Sequence, residues 1–312
     1  MTPSSQPHRA ELSLAFAQAA QLGEGIQWHA ASGRWWWTDI EGSQLHAWTP
    51  GAANSLNCKL PDRLGCFAHT RSGQLILGLA KRLCIAQLPD LMAEGTASPA
   101  LQQLVAVDPS ETRTRVNDGR CDRRGFFVFG TMNEAREKRP IGSFYQYSIQ
   151  HGLRRLALPA VAIANSVCFS PDGKTLYFTD TLTRRILQCD YEAESAQVGN
   201  IRLFCEMSEP GAWPDGSVID AEGCLWNAQW GGAQVCRYDP QGQRMASYGV
   251  PVRNPSCPAL GGPDGDWLMT TTARQDNSRE QLQALPLSGS LFGLRLPGSL
   301  ALPESLFDDS AA

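Results

Sequence analysis

Six positions along this chain share a register and could do chemistry together. Counting back eight or nine residues from Gly33, Gly73, Gly125, Gly173, Gly223 and Gly265 reaches Glu24, Gly65, Asn117, Asn165, Asp215 and the Ser256–Cys257 pair. Glu24, Asn117, Asn165 and Asp215 each offer a carboxylate or carboxamide oxygen. If these side chains converge, the two carboxylates repel unless a cation neutralises them, and a hard divalent cation takes oxygen ligands of this kind. The five histidines are scattered, with no His-x-His or His-Glu-x-x-His, which argues against a histidine-rich zinc centre. Asn and Asp before Gly are also ordinary turn formers, as Asn117-Asp118-Gly119 and Pro214-Asp215-Gly216 could be. Their common register is what favours a site.

The elements that must position these residues repeat. Each glycine closes a turn after one apolar run and precedes a second and a third. The clearest unit runs Val167–Gly173, then Leu176–Asp180, then Ile186–Tyr191; the one around Gly265 is the loosest. The spacings of 40, 52, 48, 50 and 42 residues leave room for four short strands per unit. Trp, Phe, Val, Ile and Tyr fill the runs, as strand interiors require. Six such units predict an all-β fold, a six-bladed β-propeller with four-stranded antiparallel blades around a central channel. A β-sandwich or a pair of β-domains is the alternative. A propeller must close, and Glu11–Phe16 alternates apolar and polar residues. That segment is expected to supply the outer strand of the last blade, sparing the ring an unpaired edge. The expectation is one domain over 1–312, with about 1–10 and 298–312 as loose tails.

Composition limits the function. The 312 residues are 42 % hydrophobic and 19 % charged with a net charge of −4, which is globular and gives no basic stripe for nucleic acid. No apolar run approaches a membrane span, and Leu12–Ala17 is too short for a secretory signal. The ten cysteines show no Cys-x-x-Cys pair and read as reduced, buried thiols. A cytoplasmic monomer without nucleic-acid or membrane partners is expected.

The residues also resemble a known family. Leu22-Gly23-Glu24-Gly25 with Trp28, Arg115-Val116-Asn117-Asp118-Gly119 and Gly130-Thr131-Met132 carry the likeness. So do Asn165 before Val167–Gly173, Pro214-Asp215-Gly216, and Trp230-Gly231-Gly232 followed by Arg237–Pro240. In order and spacing they are similar to the senescence-marker-protein/gluconolactonase/luciferin-regenerating-enzyme family, from about residue 12 to 296. The resemblance implies a propeller holding one divalent cation and, for most bacterial members, hydrolysis of a sugar lactone. It implies Glu24, Asn165 and Asp215 as metal ligands, and Arg115, Asn117 and Glu134 as substrate contacts. Calcium comes first as the cation, with zinc, manganese, magnesium and iron(II) open. Where the family usually has Pro-Asn-Gly, this chain has Ala164-Asn165-Ser166.

A lactone is a cyclic ester, so its hydrolysis needs a polarised carbonyl, an activated water and a stabilised oxyanion. The resemblance suggests Asp215 as the base. Pentono- and hexonolactones such as L-arabinono-, D-xylono-, D-galactono- and D-glucono-lactone are the expected substrates. Two other readings are a non-enzymatic propeller that binds metal or protein, and a hydrolase of another ester. No Gly-x-Ser-x-Gly supports a serine esterase. Trp35-Trp36-Trp37 lies within a strand, so its side chains alternate between faces and at least one packs between blades. His29, His46 and His69 read as structural.

Overall fold

The marker glycines are turn residues in fact: all six adopt φ between 62° and 92°, where a Cβ is strained. Each closes the hairpin between the first two strands of a blade. The computed structural model describes residues 8–88 and 99–310.

Six antiparallel sheets form six blades. The first holds β3 (Gly23–His29), β4 (Arg34–Asp39), β5 (Gln44–Trp48) and β6 (Leu56–Lys59). The second holds β7 (Leu64–His69), β8 (Gln74–Leu79), β9 (Arg82–Gln87) and β10 (Leu101–Ala106). The third runs β11 (Thr114–Cys121), β12 (Phe127–Asn133), β13 (Phe144–Ser148), β14 (Gly152–Arg155). The fourth runs β15 (Ala164–Phe169), β16 (Thr175–Asp180), β17 (Arg185–Glu192), β18 (Gln197–Glu206). The fifth runs β19 (Trp213–Ile219), β20 (Leu225–Trp230), β21 (Gln234–Tyr238), β22 (Arg244–Gly249). The sixth has β23 (Pro255–Gly261), β24 (Trp267–Thr272) and β25 (Leu291–Arg295). Between β24 and β25 stands a short helix, α1 (Arg279–Ala284), started by a Ser278/Gln281 capping box. This insertion is why the last unit looks loose in sequence.

Closure differs in detail from the expectation. The N-terminal segment is two strands. β1 (His8–Glu11) adds in parallel to β22 of the fifth blade, and β2 (Ser13–Phe16) adds antiparallel to β25 of the sixth. Leu12 makes the switch, with its N–H on Gly249 O and its side chain 2 % exposed between those blades. Residues 1–7 of the expected N-terminal tail lie outside the described residues.

The C-terminal segment, expected to be loose, is instead anchored as far as residue 310. Its Phe307 is fully buried in the interface of the second and third blades. Phe307 N–H donates to His69 O and Arg71 N–H to Phe307 O, while Glu304 pairs with Arg120 inside the channel. One buried aromatic outweighs the weak patterning around it.

The cores lie between blades. Trp36 joins the interface of the first and second blades, whereas Trp35 and Trp37 face the sixth. All three are at most 1 % exposed, so alternation along β4 seals both sides of one blade. All ten cysteines are free and buried. Among the described residues no helix is long and apolar enough to cross a membrane.

Candidate metal centre and active site

Each innermost strand slips register near its start. The breaks fall at Glu24/Gln27, Leu64/Cys66, Val116/Gly119, Asn165/Cys168, Pro214/Ser217 and Pro255/Pro258. A bulge frees residues from the ladder and re-aims their side chains. Here six bulges ring the mouth of the channel, which is why one sequence register selected them.

Glu24, Arg115, Asn117, Asn165 and Asp215 line one cavity of about 110 Å³ at that mouth. The other two register positions are structural. Gly65 lies against the carbonyls of Val116 and Asn117, where a Cβ would sit 2.5 Å from an oxygen. Ser256 is fully buried and spends its hydroxyl on Gly23 O. Glu134 does not line the cavity. It stands at the rim after β12, bidentate to Arg63 and 3.6 Å from Arg115 Nε.

The two carboxyls lie close enough to interact directly. Burial pushes Glu24 up to about 8, and the nearby charge of Asp118 adds to the rise. Burial likewise holds Asp215 well above the usual carboxylate range, with Glu24 next in effect. Asp118 is pushed up to about 6 by burial. These are carboxyls short of positive charge.

The amide of Asn165 has a defined orientation. The Thr181 hydroxyl has one proton and donates it to Pro214 O at 3.0 Å. It must therefore accept from Asn165 Nδ2, 2.9 Å away. That leaves Asn165 Oδ1 facing the centre, 3.2 Å from Asn117 Nδ2. Asn117 is itself held, donating to Ala164 O at 2.9 Å and accepting from Arg115 Nη1 at 2.6 Å. Arg115 is 3 % exposed, and its buried Nε makes no hydrogen bond.

Once ionised, the carboxylate pair and the inward amide oxygen form a donor set suited to a hard divalent cation. A second group, Asp220, Glu222 and Cys224, also brings candidate ligands together. It is already neutralised: Arg237 bonds both carboxylates, and Asp220 also takes backbone N–H groups and Trp226 Nε1. A larger cavity of about 490 Å³ lies at the other end of the channel, beside the stacked His29 and His69 rings. None of the predicted site residues lines it.

Sequence reasoning missed half the wall. Leu22, Met132, Ile163, Thr181, Trp230, Gln275 and Asp276 complete the cavity. A signal existed for three of them. Met132, Thr181 and Trp230 stand seven or eight positions after their marker glycines, where the second strand of each blade returns to the mouth.

The fold and the polar cavity at one mouth of its channel define the class, a six-bladed β-propeller with a candidate site at one end. Within it, the chain belongs to the family described as the SMP-30/Gluconolactonase/LRE-like region, whose model matches residues 22–274. The chain is 43 % identical over 274 residues to the L-arabinolactonase of Azospirillum brasilense, covering 87 % of each. It is 32 % identical to the 6-deoxy-6-sulfogluconolactonase of Pseudomonas putida, over 89 % of this chain and 92 % of that one. Its fold matches the crystal structure of a calcium-binding regucalcin from Agrobacterium tumefaciens with a TM-score of 0.85 and 30 % identity, covering 96 % and 98 % of the two chains.

Proposed function

We propose that this protein hydrolyses a sugar lactone to its aldonic acid with the help of one divalent cation, calcium first. The observation that carries the reading is the convergence of Glu24, Asn165 and Asp215 with Arg115 and Asn117 on one cavity. The relatives named as lactonases support the substrate class, and L-arabinonolactone is the first member to test.

Glu24, Asn165 and Asp215 would hold the cation, whose bound form supplies Lewis acidity toward the lactone carbonyl and offsets the carboxylate charge. The protein does the rest. Asp215, ionised, takes a proton on a carboxylate oxygen from the attacking water. Arg115 and Asn117 meet the lactone oxygens and fix the ring. Arg115 Nη1 also bonds Asn117 Oδ1, so the two side chains act as one unit. Glu134 acts from the rim: with Arg63 it braces Arg115, and it can accept a sugar hydroxyl there. Leu22, Met132 and Ile163 give the cavity apolar walls that limit water.

The test is proton release in a pH-indicator assay with a panel of aldono-1,4- and 1,5-lactones. Each is run after chelation and again with single divalent ions restored. Metal-restored hydrolysis of one or two lactones is expected. Folded protein that hydrolyses none of them with any ion would sink the proposal and leave a binding propeller.

A further inference from the structure

Ser166 sits where the backbone asks for glycine. Its φ is +60°, in the left-handed region where a side chain is strained. It is also fully buried. Strain of this kind persists where the surroundings require it, and it clusters at functional sites. The reason for serine here lies on the next blade.

Asp215 stands in the bulge of β19. Pro214 pairs with Gln229 and Ser217 with Asn227, so the carbonyls of Asp215 and Gly216 have left the ladder. Side chains replace the lost bonds. Ser166 Oγ donates to Asp215 O at 2.6 Å. Asn227 Nδ2 donates to the same oxygen and to Gly216 O, both at 3.2 Å. Ser217 Oγ donates to Ser166 Oγ at 3.0 Å, which commits the Ser166 proton to Asp215. The strained φ is what aims Oγ across the blade boundary. Ser166 is itself fixed from the other side: the next N–H, that of Val167, donates to Asp118 Oδ2 at 2.7 Å.

We propose that Ser166 is a positioning residue, locking the backbone of Asp215 so that its carboxylate stays aimed at Glu24. A glycine would relax the backbone and lose the lock. Local strain and site geometry are thus traded against each other, and the two can be measured apart. The inference rests on the metal-site reading.

The test compares Ser166→Gly and Ser166→Ala with wild type by calorimetric calcium titration, thermal melting and lactone kinetics. In Ser166→Gly, relief of strain offsets the lost bond, so Tm stays within about 3 °C of wild type. Calcium Kd nevertheless rises about tenfold, the usual scale for losing a group that orients a ligand. kcat falls while KM changes little. Ser166→Ala keeps the strain and loses the bond, so it shows the same rise in Kd with a clearly lower Tm. A Kd and kcat within twofold of wild type in Ser166→Gly would overturn the proposal. Wild-type protein that binds no divalent ion would instead overturn the metal reading. Crystal structures then decide on Ser166: an unmoved Asp215 carboxylate in Ser166→Gly refutes the lock, and a displaced one supports it.

Discussion

The charge-starved carboxyls make stability depend on pH in a direction opposite to that of ordinary ion-paired acids. Glu24 titrates near 8 in the folded protein against about 4.5 when unfolded. The folded state therefore holds a proton that the unfolded chain has released. Between these values stability falls by about 1.4 kcal/mol per pH unit. The useful window is pH 6.5 to 8.5. Below it, His46 and His69, held down by burial to about 4 and 3, contribute with the opposite sign. Asp118, near 6, has largely finished titrating by then. From 6.5 to 8 Glu24 alone removes about 2 kcal/mol, and Asp215 acts in the same direction. At about 2 °C per kcal/mol for a chain of this size, Tm of chelated protein drops by about 4 °C. Saturating calcium abolishes the slope, because it binds the ionised pair and takes over the role of the proton. Glu24→Gln makes the slope shallower without calcium, leaving the part due to Asp215, and weakens the response to calcium. The assay is thermal melting in chelator, in calcium, and in the variant, across the window. A Tm that is level or rising from pH 6.5 to 8.5 in chelator would refute this account of the site.

Three other outcomes are expected. Thr181→Val removes the partner of Asn165 Nδ2 and one donor to Pro214 O; calcium affinity by calorimetry falls about tenfold and stability by about 1–3 kcal/mol. Arg115→Lys keeps the charge but loses the fork, so kcat/KM for the best lactone falls at least about tenfold in steady-state assays, with melting little changed. Phe307→Ala empties a site between the second and third blades and costs about 3–5 kcal/mol by denaturant titration, while the calcium Kd of the folded protein stays as in wild type.

The fold was legible because the repeat is written in residues with strict backbone needs. A glycine at φ near +60° to +90° recurs at every inner hairpin, and no other residue fits there as well. Four of the five cavity residues foreseen from the chain, Glu24, Asn117, Asn165 and Asp215, were legible for the same reason, since each stands eight or nine positions before such a glycine, whereas Arg115 came from the family resemblance. The fates of Gly65 and Ser256 were not, because register gives position and not what a side chain meets across the blade boundary. Thr181 escaped notice because its value is purely relational: it needs Pro214 O and the Asn165 amide on either side of one hydroxyl. Gln275 and Asp276 come from the one blade whose spacing is interrupted by α1. The anchoring of the C-terminal segment turned on the single side chain of Phe307, too little pattern to read. The split of the N-terminal strand at Leu12 is set by partners almost the whole chain away.

That last distance has a consequence for how the protein is made. Ser13 bonds Gly293 across 280 residues, so the first strand of the sixth blade to leave the ribosome waits for the last. At ordinary synthesis rates the wait is tens of seconds. During it the incomplete ring exposes the flank of the first blade, where Trp35 and Trp37 will be covered by the sixth. Five blades can pack as they emerge, yet the ring stays open until the sixth is made. The same joint that makes the finished ring hard to open makes the nascent chain dependent on protection of its earliest segment. Destabilising changes near either terminus will therefore reduce yield before they reduce activity.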